Sequence, residues 1–428
     1  MGNTSGTTRG TPSLQQLARL RDERAHGRFA SISNLFTVPE AVGDELFRER
    51  LTRVVRREEA LRIVDGSLED GGWIDYAADV AVPLDFRFCD SEEEMSTLAR
   101  ELAGRTFERV GSALWAVTVI GYRARNGRPA RAACTVFDHF VTDGHSMHLL
   151  QKELSQAPTA RPRHADSRYR DWVDWQRTRF PVPDTRPSSH DRDFWHLHLA
   201  GTGADRPTRL PFATLPEPGA PGEITSMNLA LPVTAAGLRA RAQMLGISPF
   251  LVVLASFAAT VSGLSGATDL TFRVIVGGRP TDHLNRLGWF ADSVPLRLAH
   301  PELADPLRSV AEVNARWSEV LAHQTTPLDY IRAACPPSPE HEIDPARRRM
   351  QLVLNFVPQD LGGMYSEEVP ELTVPGDIDG LHLTLLPGPD QRLRLGAMFN
   401  PGAFPKQATH DFLQHAIDDL AELVKHPR

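Results

Sequence analysis

Between Gly201 and Gly222 the chain is dense in glycine and proline, and that break constrains how the rest can fold. On either side, short β-rich runs alternate with helix-length amphipathic stripes. Before it, residues 115–122 and 131–138 read as strands joined by the hairpin signal Arg125-Asn126-Gly127-Arg128. After it, strands expected at 226–231, 270–276, 293–298, 351–357, 382–386 and 393–399 alternate with helices. At roughly 150 residues per domain, 428 residues are too many for one simple core. The expected fold class is therefore α+β in two halves of similar size. They run from 13–200 and 223–428, with 201–222 as linker and a flexible, polar tail at 1–12.

Within the first half, Ser13 is the expected N-cap of a helix carrying Leu14, Leu17 and Leu20 on one face. A strand is expected at 31–38. A helix at 40–57 follows, striped by Val42, Leu46, Leu51, Val54 and Val55, then strands near 61–64 and 84–88 and a helix at 91–105. Helices at 169–179 and 191–199 carry Trp172, Trp175, Phe194 and Trp195, which are expected to pack them onto a core. In the second half, Thr234, Ser248-Pro249 and Asp305-Pro306 mark helix starts, and a last helix is expected at 405–424.

Composition narrows the function classes. A net charge of −7 gives no reason to expect a nucleic-acid partner, and Arg347-Arg348-Arg349 reads as a solvated loop. The proline-rich stretch 336–348 reads as a mobile loop. The three cysteines, Cys89, Cys134 and Cys335, are far apart and form no CxxC pair, which argues against a disulfide scaffold or thiolate zinc site. No apolar stretch approaches the ~20 residues that span a bilayer, and the polar start has no signal-peptide core. A cytoplasmic location is the expectation. His145 and His148 lack further ligands nearby, so no metal is expected.

Chemistry concentrates in His139-Phe140-Val141-Thr142-Asp143-Gly144, which follows the apolar run Ala133–Phe137 and precedes an amphipathic stretch from Ser146. That context predicts a histidine at the end of a buried strand, extended by Phe140 and Val141, then an Asp-Gly turn into a helix capped by Thr142 or Asp143. An imidazole beside a helix N-terminus is held neutral more readily, as a general base must be. Asp138 is expected to face away from His139 by strand alternation. A core histidine followed by an ordinary turn is the structural alternative. Gly144-His145-Ser146-Met147-His148 also approaches the nucleophile-elbow pattern G-x-S-x-G, with His148 in place of the last glycine.

In sequence order, further segments carry a resemblance. His139-x-x-x-Asp143-Gly144 resembles the HHxxxDG signature of the condensation-domain superfamily, which includes condensation domains of nonribosomal peptide synthetases and stand-alone polyketide-associated acyltransferases. Arg57-Glu58-Glu59-Ala60-Leu61-Arg62 is similar to its RHExLR segment, with glutamate at the histidine position, and Tyr169–Trp175 is similar to its Y-x-D-[FY]-x-x-W helix. Gly278-Arg279 and the run Leu287–Arg297 resemble its GR and IGxFVNTLPLR segments, and His323–Leu328 its HQDxPF segment. Asp138 stands where the first histidine of the signature is usual.

The resemblance implies two chloramphenicol-acetyltransferase-like lobes in a V with a tunnel at their interface. It assigns His139 as general base and Asp143 as a structural carboxylate paired to an arginine. Arg279 and Arg62 are the candidates for that partner, with Arg297 behind them. The Gly144 amide and the Ser293 hydroxyl are candidate oxyanion donors. No cofactor is expected to be covalently bound. The co-substrate is an acyl thioester, on carrier-protein phosphopantetheine or as acyl-coenzyme A. With no xGGxS carrier motif and no adenylation segment in the sequence, that donor is expected in trans, from an acyl or peptidyl carrier protein. The expected reaction is acyl transfer to a hydroxyl or amine of a small-molecule acceptor, in natural-product or lipid biosynthesis, by a stand-alone enzyme. Two alternatives are a non-catalytic, carrier-binding relative and a serine hydrolase acting through Ser146.

Overall fold

A hairpin spanning residues 115–137 anchors the first half. Strands β1 (Thr7–Gly10), β2 (Ile32–Thr37), β3 (Ile63–Ser67), β4 (Trp73–Ala77), β5 (Leu84–Cys89), β6 (Trp115–Arg123) and β7 (Pro129–Phe137) form two sheets. One has the order β2-β7-β6-β5, the other β1-β4-β3. Gly127 takes φ +76° at the hairpin tip, and the Asn126 carboxamide oxygen accepts from the Arg128 amide at 3.0 Å. The computed structural model describes residues 6–26, 31–155, 168–182, 189–208, 210–215, 222–336, 351–356, 373–375, 378, 380–387 and 392–425.

Helices α1 (Leu14–His26), α2 (Asp44–Arg57), α3 (Glu92–Ala103), α4 (Gly144–Ser155) and α5 (Tyr169–Arg179) complete this half. Ser13 caps α1 reciprocally: its hydroxyl accepts from the Gln16 amide at 3.1 Å, and the Gln16 side chain accepts from the Ser13 amide at 2.9 Å. The expected stripe of α2 is buried at Leu51, Val54 and Val55. Residues 7–10 of the expected tail are a strand, in antiparallel register with Ile74–Ala77. Backbone pairing to β4 orders them although their side chains offer little to bury.

The second half is built on one seven-stranded sheet, order β10-β9-β11-β13-β14-β8-β12. Its strands are β8 (Glu223–Thr234), β9 (Asp269–Val276), β10 (Asp292–Ala299), β11 (Leu352–Phe356), β12 (Thr373–Pro375), β13 (Leu381–Pro387) and β14 (Arg392–Phe399). Helices α6 (His190–His198), α7 (Ala235–Leu245), α8 (Pro249–Ser265), α9 (Pro306–Leu321), α10 (Leu328–Ala334) and α11 (Lys406–Lys425) accompany it. Thr234, Ser248 and Asp305 accept first-turn amides of α7, α8 and α9, as their sequence context predicts. Helix α8 is apolar on all sides because it is buried from Leu251 to Ser262, packed by α9 and α11. Among the described residues no single helix is long and apolar enough to cross a membrane. The architecture is α+β, with a separate hydrophobic core in each half.

The chain divides into two compact units at Pro181–Val182, and residues Gly277–Ala291 belong to the first unit. This differs from the expected boundary at 200, and the described part of 201–222 lies in the second unit. The physical reason is burial: Trp195, Leu199, Ala204 and Leu210 are in the second core. Trp172 and Trp195 are almost fully enclosed, as expected, whereas Trp175 is 38% exposed and packs edge-on to Phe180. The arginine cluster 347–349 and nearly all of the 336–348 loop lie outside the described residues.

Candidate functional site

Strand β7 ends at Phe137, earlier than the apolar pattern suggests, and the signature residues form a turn into α4. The turn is tied at both ends. The Asp138 amide donates to Leu114 O at 2.8 Å, and the Asp138 carboxylate accepts from the Phe140 amide at 2.9 Å. Phe140 is fully buried, and its carbonyl accepts from Gln16 Nε2 at 2.9 Å. Asp138 therefore shapes the turn that carries His139 through the backbone, by way of the Phe140 amide. A side-chain-to-backbone hydrogen bond two residues on competes with strand pairing, which is why the strand stops here.

His139 is partly enclosed, with its ring centroid 4.7 Å from that of Trp289. Nδ1 is buried and has no hydrogen-bond partner among the described residues. Burial pushes the imidazole pKa below its ordinary value. The Arg19 guanidinium pushes the same way, while Asp143 and Asp138 oppose. The shift favours the neutral imidazole.

Asp143 caps α4: its Oδ1 accepts from the Ser146 amide at 2.8 Å. The same oxygen accepts from Arg279 Nη2 at 2.7 Å, and Oδ2 accepts from the Phe290 and Ala291 amides at 2.9 and 3.0 Å. Burial alone would raise this carboxyl. The guanidinium and the three amides overcome that and hold it at about 2. Arg279 follows Gly278, whose φ of +58° is a conformation that favours glycine; an added Cβ there would strike the Phe290 carbonyl. The guanidinium also donates to Arg286 O at 2.5 Å and lies 4.1 Å above the Phe290 ring.

Of the candidate partners, Arg279 alone meets Asp143. Arg62 instead donates to Val55 O and Arg56 O at 2.9 and 2.6 Å, satisfying carbonyls at the end of α2, and to Ala77 O. Arg297 pairs with Asp269 at 3.0 Å in the second unit. Ser293, also in the second unit, accepts from Arg273 Nε and Nη2 at 3.2 and 2.8 Å. Gly144 is the first residue of α4, where backbone N–H groups have no partner within the helix.

Ser146 is wholly buried. Its hydroxyl donates to Gly288 O at 2.7 Å and accepts from Gly288 N and Arg279 Nη2. Every hydrogen-bonding position of that oxygen is occupied, so the nucleophile-elbow alternative fails on geometry. His145 Nε2 lies 3.0 Å from Leu284 O. The described residues hold no group of three or more His, Cys, Asp or Glu side chains able to ligate a metal.

Several residues at the site escaped the sequence reading. Arg109 pairs with Glu23, and its Nη2 reaches Asp138 Oδ2 at 3.1 Å; Arg19 bonds Glu23 at 2.6 Å and approaches Asp138 at 3.8 Å. Gln16, Arg19 and Glu23 recur at helical spacing on α1, a polar stripe that was the available signal. Arg109 sits in an irregular segment and gave none. Glu58, at the histidine position of the RHExLR-like segment, is buried between Arg57 at 2.6 Å and Arg286 at 3.7 Å and accepts from the Leu287 amide at 3.1 Å.

Over residues 23–428 the sequence matches the family described as the condensation domain. A 273-residue stretch is 28% identical to the cyclosporin synthetase of Tolypocladium inflatum, covering 59% of this chain and 2% of that protein. A 205-residue stretch is 29% identical to the phosphinothricin tripeptide synthetase of Streptomyces viridochromogenes, covering 46% of this chain and 18% of that protein. The chain thus spans a small part of the length of these curated relatives. The first condensation domain of the calcium-dependent antibiotic synthetase, solved with a substrate analogue, has the same fold. Its TM-score is 0.72 at 19% identity, over 98% of this chain and 97% of that one. The match over nearly the whole chain and the shared fold lead to one conclusion: this chain belongs to the condensation-domain family, whose members transfer acyl or peptidyl groups.

Proposed function

We propose that this chain transfers an acyl group from a thioester to a hydroxyl or amine acceptor, with His139 as general base. The observation that carries this reading is the setting of His139: an imidazole in a turn fixed on both sides, with Nδ1 enclosed; burial lowers its pKa and favours the neutral form. With Nδ1 enclosed, Nε2 is the nitrogen left to meet an acceptor. It takes the acceptor's proton as the oxygen or nitrogen attacks the thioester carbonyl carbon. The tetrahedral intermediate then expels the thiolate, which recovers the proton from the imidazolium. The products are an ester or amide and a free thiol. General-base assistance of this kind supplies roughly 10²- to 10⁴-fold.

The Gly144 amide, at the positive end of α4, suits a developing oxyanion. Asp143 is a positioning residue in this reading, since its oxygens are taken up by Arg279 and three amides. The acyl donor is a substrate presented on carrier-protein phosphopantetheine or as acyl-coenzyme A. Natural-product biosynthesis is the setting that the relatives' names support.

Intact-mass analysis of products from panels of acyl-carrier and acyl-coenzyme A donors with hydroxyl and amine acceptors tests the reading. Wild type should form product and His139→Ala should not, with its melting temperature retained. Unchanged turnover in His139→Ala would overturn the assignment. Carrier binding without transfer to any acceptor would favour the non-catalytic alternative.

A further inference from the structure

The family signature carries a histidine before the general base, and this chain carries Asp138 there. The carboxylate is 7% exposed and spans two functions. One oxygen accepts the Phe140 amide at 2.9 Å and closes the turn. The other accepts from Arg109 Nη2 at 3.1 Å, and Arg109 and Arg19 both bind Glu23 on α1. Two guanidiniums and two carboxylates thus balance in charge within an enclosed cluster; Arg109 is further seated 4.1 Å above the Phe140 ring. Removing any one member of this cluster leaves an uncompensated charge in an enclosed setting, which costs stability.

We propose that Arg19, Glu23, Arg109 and Asp138 form an ionic clamp that positions His139 and sets its protonation, replacing the missing signature histidine with a carboxylate-centred device. The proposal rests on the reading of His139 as the base, but its test does not need turnover. The charges that act on the ring come from several elements: Arg19 on α1, Asp138 in the turn and Asp143 just before α4; Arg19 is paired to Glu23, Asp138 to Arg109 and Asp143 to Arg279. Arg19 favours the neutral imidazole, while Asp138 and Asp143 favour the charged one. Removing a clamp cation and removing its anion must therefore move the ring in opposite directions.

The experiment is a ¹³C-histidine NMR titration of the full chain, with the His139 signal assigned by its absence in His139→Ala. Arg19→Met is expected to raise the His139 pKa, and Asp138→Asn to lower it. Asn keeps an oxygen for the Phe140 amide, so the turn and the fold should survive. Asp138→Leu removes both roles, and in the transfer assay it should lower kcat roughly 10- to 100-fold with KM held. Asp138→Asn should retain more kcat than Asp138→Leu. A His139 pKa unmoved, or moved in one direction by both Arg19→Met and Asp138→Asn, would overturn the clamp. So would equal kcat in Asp138→Leu and wild type. If His139→Ala retains turnover, the function reading fails while the titration still decides whether the clamp sets the ring's protonation.

Discussion

The Asp143 carboxylate and the Arg279 guanidinium, 136 residues apart in sequence, meet at 2.7 Å with side chains 1% and 3% exposed. Through this pair the 277–291 segment is fastened to the start of α4, directly after the turn that carries His139. A pair so enclosed contributes through architecture more than through net energy, because desolvation offsets most of the attraction.

Breaking the pair is a different matter. Arg279→Met leaves Asp143 buried with its charge uncompensated and strips a donor from Ser146, so a loss of about 3–5 kcal/mol is expected in urea denaturation. Asp143 also predicts a pH signature. Its folded-state pKa of about 2 lies below the unfolded value, so its contribution is present above pH ~4 and is lost as pH falls towards 2. That contribution is about 2.5 kcal/mol, and Asp143→Asn should lack it. Equal acid sensitivity in wild type and Asp143→Asn would contradict the assignment.

His139 should titrate below the ordinary histidine value of about 6.5, since burial and Arg19 both disfavour its protonation. A base must be neutral, so the acid limb of a kcat/KM profile is expected below pH ~6.5. Stability follows the same sign. On acidification the unfolded chain takes up this proton first, and stability declines as pH falls through the unfolded value. An acid limb above pH ~7 would place another group in control.

Much of this arrangement was legible in the sequence. Caps at Ser13, Thr234, Ser248 and Asp305 carry their own chemistry, so those helix starts were readable to within a residue. Asp143's need for a guanidinium followed from the cost of burying a lone carboxylate, and Arg279 was among the named candidates. Arg62 resembled the same residue type in a matching segment, but what it satisfies is the backbone at the end of α2. Local pattern cannot separate those two uses. The clamp was invisible for a related reason: Arg109 and Asp138 are 29 positions apart, and no periodicity links an irregular segment to a turn. Strand β7 stopped short of its apolar pattern because one Asp138 hydrogen bond outweighs two more residues of β propensity.

Gly288 joins the Leu287–Arg297 segment at its tightest point. A Cβ there would run into the Tyr169 ring and approach Phe290 at 3.1 Å, while its amide and carbonyl both bond to Ser146. Tyr169 cannot move aside easily, being buried with its hydroxyl donating to Trp289 O at 3.2 Å. Gly288→Ala should therefore cost about 1–3 kcal/mol by overpacking. Gly263→Ala, in a helix with open space around the glycine, should cost nothing and serves as the control in the same thermal melts. Equal melting temperatures for the two variants would refute the close-approach account.

Asp292 stands where the family-like segment IGxFVNTLPLR carries asparagine, and its surroundings explain why a carboxylate is awkward there. Burial pushes the group up to about 6; the Ser293 and Leu328 amides oppose that shift, Asp329 reinforces it, and Arg273 opposes it. The folded pKa is raised, so the folded chain holds this proton between pH ~4 and ~6 while the unfolded chain has released it. Stability should fall as pH rises through that window, by up to about 3 kcal/mol. Asp292→Asn keeps an oxygen for the Ser293 amide but turns an NH₂ towards Leu328, so it gives up one hydrogen bond of about 1 kcal/mol at every pH. Melting curves at pH 4.5 and 7.5 separate the two effects. Wild type should lose more stability than Asp292→Asn between these values, and the variant should be the less stable at 4.5 and gain on wild type at 7.5. Parallel shifts in the two proteins would show that Asp292 is ionised throughout and that its burial is compensated by groups other than these amides.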